Sequence, residues 1–273
     1  MTRLQWAVVG GSLLLFLVLY FGFDTTPPEF KEVERTRSAA IQTTNLGGLL
    51  RRAKADLTPT DAGEIIALES QLHDALETDT LTRLESLQSL SKKWYDLEKY
   101  GVAAGYAEQV ADLRQTEEAW TIAGANYTYC VQNETEERIR EYCSDQAVKA
   151  FENAYTINPS NQDHQINLAL VYVERPPADN PMRGIRMLLD LNQREPDNVN
   201  VLMQLGRLAL KTNQFDKAVI RLEKAVSLRP ENLRANCLLS EAYRGTGNTQ
   251  LANQYAGRCS ALRKDLERRF SDN

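Results

Sequence analysis

The chain carries none of the short motifs that mark common enzyme classes. GxxxxGK, GxGxxG opening a helix after a strand, HExxH and GxSxG are all missing, so phosphate loops, zinc-protease helices and nucleophile elbows are not indicated. No CxxC, CxxCH or other metal-ligand spacing occurs, and the two histidines, His73 and His164, are isolated. Each reads as a surface helix residue, and no metal or other cofactor is expected. Carboxylate pairs such as Glu117-Glu118 and Glu136-Glu137 exist, but neighbouring charges on a helix read as a solvated face. No catalytic residue is assigned, and the chain is not expected to be an enzyme. The net charge is −5, with 32 Lys and Arg mixed among 37 Asp and Glu, so no basic stripe suggests nucleic acid. Persistent strand-like alternation is absent as well, which leaves an all-α fold.

What the chain does contain is a spacing. Its clearest copy is Leu202, Leu205, Gly206, Ala209, Ala218, Leu222, Ala225 and Pro230, with Pro196 lying 34 residues before Pro230. Within residues 199–211 and again within 215–228, apolar residues recur three and four apart, so each stretch buries one stripe as a helix. Gly206 and Ala218 are small where two helices must approach closely, and Pro230 cannot continue the second helix. A period in this range marks a solenoid of helix pairs. These residues resemble the tetratricopeptide repeat (TPR) family at nearly every diagnostic position of one unit.

Neighbouring copies extend the pattern. Leu168, Ala169, Tyr172, Gly184, Leu188, Leu191 and Pro196 repeat it, with three extra residues in the turn 176–181, where Asn180 reads as an N-cap and Pro181 as the first helical position. Trp120, Gly124 and Tyr127, then Ala147, Phe151, Ala154 and Pro159, form another copy with about eleven inserted residues within 132–142. Leu239, Ser240, Tyr243, Ala252, Ala256 and Cys259 form a looser, final copy that runs into the charged stretch 263–269, as a solenoid terminus requires. The units are thus 116–160, 161–197, 198–231 and 232–264, within a TPR domain over 116–273. Leu87, Leu90, Ser91, Trp94, Tyr100, Ala103, Ala107 and Val110 suggest a degenerate pair over 81–115, giving about five pairs. Before it, residues 24–80 read as linker and N-terminal helices: Thr58-Pro59-Thr60-Asp61 and Asp79-Thr80 look like helix starts, and residues 31–57 read as helix with a break at Gly47-Gly48.

The resemblance implies a binding surface, because in the TPR family the first helix of each pair lines a concave groove. Matched positions are Tyr129, Asn167 and Glu174, Gln204, Arg207 and Lys211, and Arg234, Glu241 and Arg244. The basic members could hold carboxylates and the amides a peptide backbone. The full basic and Asn set of the chaperone-tail clamp is not present in order.

One long hydrophobic run completes the inventory. Residues 6–23 are uncharged and almost wholly apolar, 18 residues that as a helix would extend about 27 Å, close to the hydrocarbon thickness of a bilayer. A cleaved signal peptide is the rival, but its apolar core would be shorter and followed by a small-x-small site, which Phe21-Gly22-Phe23-Asp24 does not offer. Residues 1–23 are therefore expected to be a single transmembrane anchor. Arg3 precedes the run, and Asp24 and Glu29 follow it before Lys31, Arg35 and Arg37, so the N-terminus is expected inside and the repeats outside the cytoplasm. In a bacterium that is the periplasmic face of the inner membrane.

Cys130 and Cys143 flank the charged insertion, and a disulfide there would suit an oxidising compartment, whereas Cys237 and Cys259, both on helices, fit ordinary buried thiols. The expected role is a membrane-tethered scaffold that binds other proteins or peptides, with a homo-oligomer possible. The alternatives are a permanent structural subunit of an envelope complex or a client-handling chaperone. In layout alone the chain resembles single-pass TPR proteins that assist protein translocation or cytochrome c maturation.

Overall fold

The computed structural model describes residues 45–75 and 79–271. Two compact units, residues 1–51 and 52–273, divide the chain. The anchor expected over 1–23, and residues 31–44 of the helix expected over 31–57, lie outside the described residues. Among those described, no helix is long and apolar enough to cross a membrane.

Helix α1 (Leu46–Ala55) runs through Gly47 and Gly48 without the expected break. Both glycines fall in its first turn, where N–H groups lack intrahelical partners anyway, and Asn45 Oδ1 accepts from the Gly48 N–H at 2.8 Å. The second unit continues with α2 (Pro59–Ala75), α3 (Thr80–Asp96), α4 (Tyr100–Arg114), α5 (Glu117–Asn133), α6 (Glu137–Ile157), α7 (Asp163–Glu174), α8 (Arg183–Arg194), α9 (Val199–Lys211), α10 (Phe215–Leu228), α11 (Leu233–Gly245) and α12 (Thr249–Ser271). The starts are set locally. Thr58 Oγ1 accepts from the Asp61 N–H with Pro59 as first helical residue, and Asp79, Thr116, Asn198 and Asn232 cap α3, α5, α9 and α11 with side-chain oxygens. Glu98, Asn213 and Gly247, all at positive φ, end the first helices α3, α9 and α11.

From α3 onward the helices form five pairs, α3 with α4 through α11 with α12. Each pair carries a small buried residue on both of its helices. These are Ser91 and Ala103, Gly124 and Ala147, Ala169 and Gly184, Gly206 and Ala218, and Ser240 and Ala252. The contact is tightest at Gly184, where a Cβ would lie 2.3 Å from the Ala169 carbonyl oxygen. In two pairs a hydroxyl serves this junction: Ser91 Oγ donates to the Ala103 carbonyl at 2.9 Å and Ser240 Oγ to that of Ala252 at 2.8 Å. The core passes from pair to pair. Ile166, Ala169, Leu188 and Leu191 of one pair share a cluster with Val201 and Leu205 of the next. That is the nearest-neighbour stacking of a helical-repeat solenoid.

The charged insertion is taken up by the helices themselves: α5 and α6 have 17 and 21 residues against 13 and 14 in α9 and α10, which absorbs all eleven, and only residues 134–136 connect them. Helix propagation adds one hydrogen bond per residue, so lengthening two helices satisfies more backbone than a long loop would. Cys130 and Cys143 are bonded across this connection, but Cys237 and Cys259 are also bonded, joining α11 to α12, and are not thiols. Asn180 does not cap α8, which begins at Arg183; its side chain accepts from Arg186 instead. His164 is 2% exposed and no surface residue.

Gly184 and Gly206 differ in what a methyl group would meet. At Gly206 the Cβ would lie 2.6 Å from Leu222 Cγ, a side chain that can turn, whereas at Gly184 it meets backbone. Gly184→Ala is expected to destabilise by about 2–3 kcal/mol despite alanine's better helix propensity, and Gly206→Ala by less. Urea melts of the two variants check the order; equal losses would mean that α7 and α8 can part without cost.

Candidate functional site

The first helices α5, α7, α9 and α11 touch in succession, so residues on their outer stripe share one face. On α9 Gln204, Arg207 and Lys211 sit three and four apart, one turn above another. Glu174, at the end of α7, is mostly buried, 3.8 Å from Arg207 Nη1 and 3.7 Å from Lys211 Nζ. Arg207 Nε donates to Gln204 Oε1 at 3.1 Å, which fixes the guanidinium plane. Burial lowers the Arg207 pKa, Glu174 opposes that, and the charge of Arg234 on α11 lowers it further. Two cations, Arg207 and Lys211, therefore share one carboxylate, and a third, Arg234, acts on Arg207. Asn167 is half-buried on α7, while Glu241 and Arg244 lie exposed on α11 beyond this group.

Tyr129 belongs elsewhere. Its ring packs against Tyr95 and Tyr100 at centroid distances of 5.7 and 5.9 Å, and it remains 44% exposed. Beside this cluster a cleft of about 380 Å³ opens between α3 and α5, with Ala107 and Val110 of α4 among its lining. Its walls include Gln88, Lys92 and Tyr95 on α3 and Ile122 and Asn126 on α5, with Ile122 50% exposed. The cleft was not anticipated, although a signal exists: Gln88 and Ile122, Lys92 and Asn126, and Tyr95 and Tyr129 are each 34 residues apart. Matching positions of two successive pairs thus face one another.

A second polar group joins pairs together. Glu117, in the first turn of α5, accepts from Asn158 Nδ2 at 2.7 Å and Asn161 Nδ2 at 2.5 Å, and lies 2.7 Å from His164 Nε2. Glu117 is therefore more than a solvated helix charge. These partners sit on the turn after α6 and the first turn of α7, so one carboxylate binds three consecutive helices. Among the described residues no group of three or more His, Cys, Asp and Glu is placed to hold a metal ion.

Residues 199–232 match the family model described as tetratricopeptide repeat. No curated protein matches the chain. Among solved structures it is similar to MamA from Desulfovibrio magneticus RS-1, at 14% identity and a TM-score of 0.41, with 67% of this chain and 96% of that one covered. It is also similar to YrrB, described as a TPR protein with an unusual peptide-binding site, at 16% identity and a TM-score of 0.37 over 73% of this chain and 91% of that one. A third likeness, to the APC/C hetero-tetramer Cut9-Hcn1, has 15% identity and a TM-score of 0.47 over 74% of this chain and 37% of that one. The match over 199–232 falls on α9, α10 and the turn after them.

The Asn161, Asn158 and His164 contacts, in that order of influence on either side of partial burial, hold Glu117 below its ordinary value of 4.5. A depressed carboxylate stabilises fully above that value and loses its contribution as pH falls through the depressed one. Glu117→Gln is expected to lower the melting temperature near neutrality and to flatten its fall below pH 4.5. Melting curves across the acid range test this; an unchanged acid slope would rule out a charged Glu117 as the fastening.

Proposed function

We propose that the chain is a non-enzymatic scaffold, held at a membrane by residues 6–23, which binds a partner protein or peptide on its first-helix face. The observation that carries this reading is the approach of Arg207 and Lys211 to Glu174, with Gln204 orienting Arg207 and the charge of Arg234 acting on it from the next first helix. Guanidinium groups grip carboxylates through two parallel N–H donors, and a half-buried site strengthens that grip. Glu174 keeps the cations from repelling one another while the face is empty. An incoming acidic side chain or chain end would meet a net positive site, with Glu241 and Arg244 next along α11.

The proposed place of action is supported by charge and covalent bonds. The apolar run at 6–23 has the length of a span, and the balance of charge around it favours an inside N-terminus. Two disulfides, each within one helix pair, suit an oxidising compartment such as the periplasm.

Joint reversal of charge in Arg207→Glu and Arg234→Glu is expected to weaken binding of a fluorescent glutamate-rich peptide at least about tenfold, with the melting temperature preserved. Unchanged affinity would place the binding face elsewhere, and a purified chain locked in a stable oligomer that buries this face would favour a permanent structural subunit.

Removal of residues 1–23 is expected to leave a helical protein that high salt releases from membranes, whereas the whole chain resists both salt and carbonate. Carbonate extraction with circular dichroism decides it: a shortened chain that stays embedded, or is unfolded, defeats the tether.

A further inference from the structure

The last helix is built differently from the others. α12 has 23 residues and its antiparallel partner α11 has 13. Glu231 and Leu233, at the start of α11, lie beside Leu262 and Leu266 of α12, so the final turns of α12 pass that end and continue outward. Leu251 and Tyr255 pack on the core of the last two pairs, and the disulfide to Cys237 pins Cys259. The same stripe then continues as Leu262, Leu266 and Phe270. There it loses its cover, for Leu266 is 44% and Phe270 76% exposed.

The charge around this stripe is reversed relative to the chain. The net charge of the whole is −5, yet residues 258–269 hold Arg258, Arg263, Lys264, Arg268 and Arg269 against Asp265 and Glu267. At 100° per residue, Arg258 and Arg269 border one edge of the apolar stripe and Arg263 the other. Asp265 is engaged by Arg268 at 3.6 Å and Arg269 at 2.8 Å, so the local acid is largely neutralised. Glu267 lies on the far side of Arg263 from the stripe.

We propose that the last turns of α12 lie on an anionic bilayer surface, with Leu262, Leu266 and Phe270 entering the headgroup boundary and Arg258 and Arg263, at the two edges of the stripe, on lipid phosphates. A narrow apolar stripe edged by long basic side chains suits such a surface, because the stems can follow the stripe while the guanidinium groups reach outward. A bilayer requires no complementary shape. A second copy fits worse: three side chains per copy bury a few hundred Å², short of the roughly 1,200 Å² of a stable interface. The inference rests on the membrane tether of the proposed function only to keep a bilayer within reach.

The test uses the whole chain reconstituted into vesicles of phosphatidylcholine alone or mixed with phosphatidylglycerol. Hydrogen exchange over residues 262–271 is expected to slow about fivefold or more on the anionic vesicles, roughly what one basic residue near such a surface supplies, and to recover in high salt. Phe270→Asp, and separately Arg258→Glu with Arg263→Glu, should abolish the protection, while Phe270→Trp should retain it. These side chains are exposed, so folding is expected to persist, as exchange over α9 and α10 will report. Equal exchange on both vesicle types overturns the proposal. Protection that grows with protein concentration in the absence of vesicles overturns it in favour of a second copy. Carbonate resistance of the same samples reads the tether alone, so the two ideas fail separately.

Discussion

Everything in the second unit depends on a close approach of two helices that only the smallest side chains permit. Glycine, alanine or serine stands on both helices of every pair, and at Gly184 the space left is less than one methyl group. Once two backbones meet at that distance, the large residues on either side, such as Leu188 and Leu191, or Leu205 and Leu222, interlock in one way. The crossing thereby sets how far apart successive pairs lie. That spacing decides which faces meet water, and the polar site follows from it.

On the first-helix face this regular frame carries irregular chemistry. Glu174 meets Arg207 and Lys211 of the next first helix, and Arg234 of the one after acts on Arg207, because successive first helices are neighbours. The cleft beside Tyr95 opens where α3 and α5 leave room between matching positions. Glu117 does the opposite work. It closes a junction between pairs by collecting two amides and an imidazole, and its value lies in holding the array in register.

The helices were legible in the sequence to within a few residues because their causes are local. Thr58 before Pro59 and Asp79 before Thr80 place two starts, and the three-and-four spacing of Leu202, Leu205, Gly206 and Ala209 marks a buried stripe. Long-range pairing was not legible. Cys237 and Cys259 are 22 residues apart on two helices, and nothing in their own neighbourhoods says that the helices turn those two side chains toward each other. His164 looked isolated because its partner Glu117 is 47 residues away. Asn180 failed as a cap because Pro177 and Pro181 shape a turn whose asparagine side chain is taken by Arg186. The sequence showed eleven extra residues but not how the chain houses them; both helices lengthen, and Arg52, Arg140 and Arg175 pair with the acids there.

By itself the sequence determined an all-α chain of repeated helix pairs, since helix periodicity, caps and the recurrence of small residues are properties of neighbours along the chain. Only the tertiary structure decided that Arg207 and Lys211 share the carboxylate of Glu174, that a cleft opens between α3 and α5, and that the stripe of α12 outruns its cover. Those features depend on which side chains the stacked pairs bring together across tens of residues, and a spacing of 34 specifies the stacking without specifying the charges that meet in it.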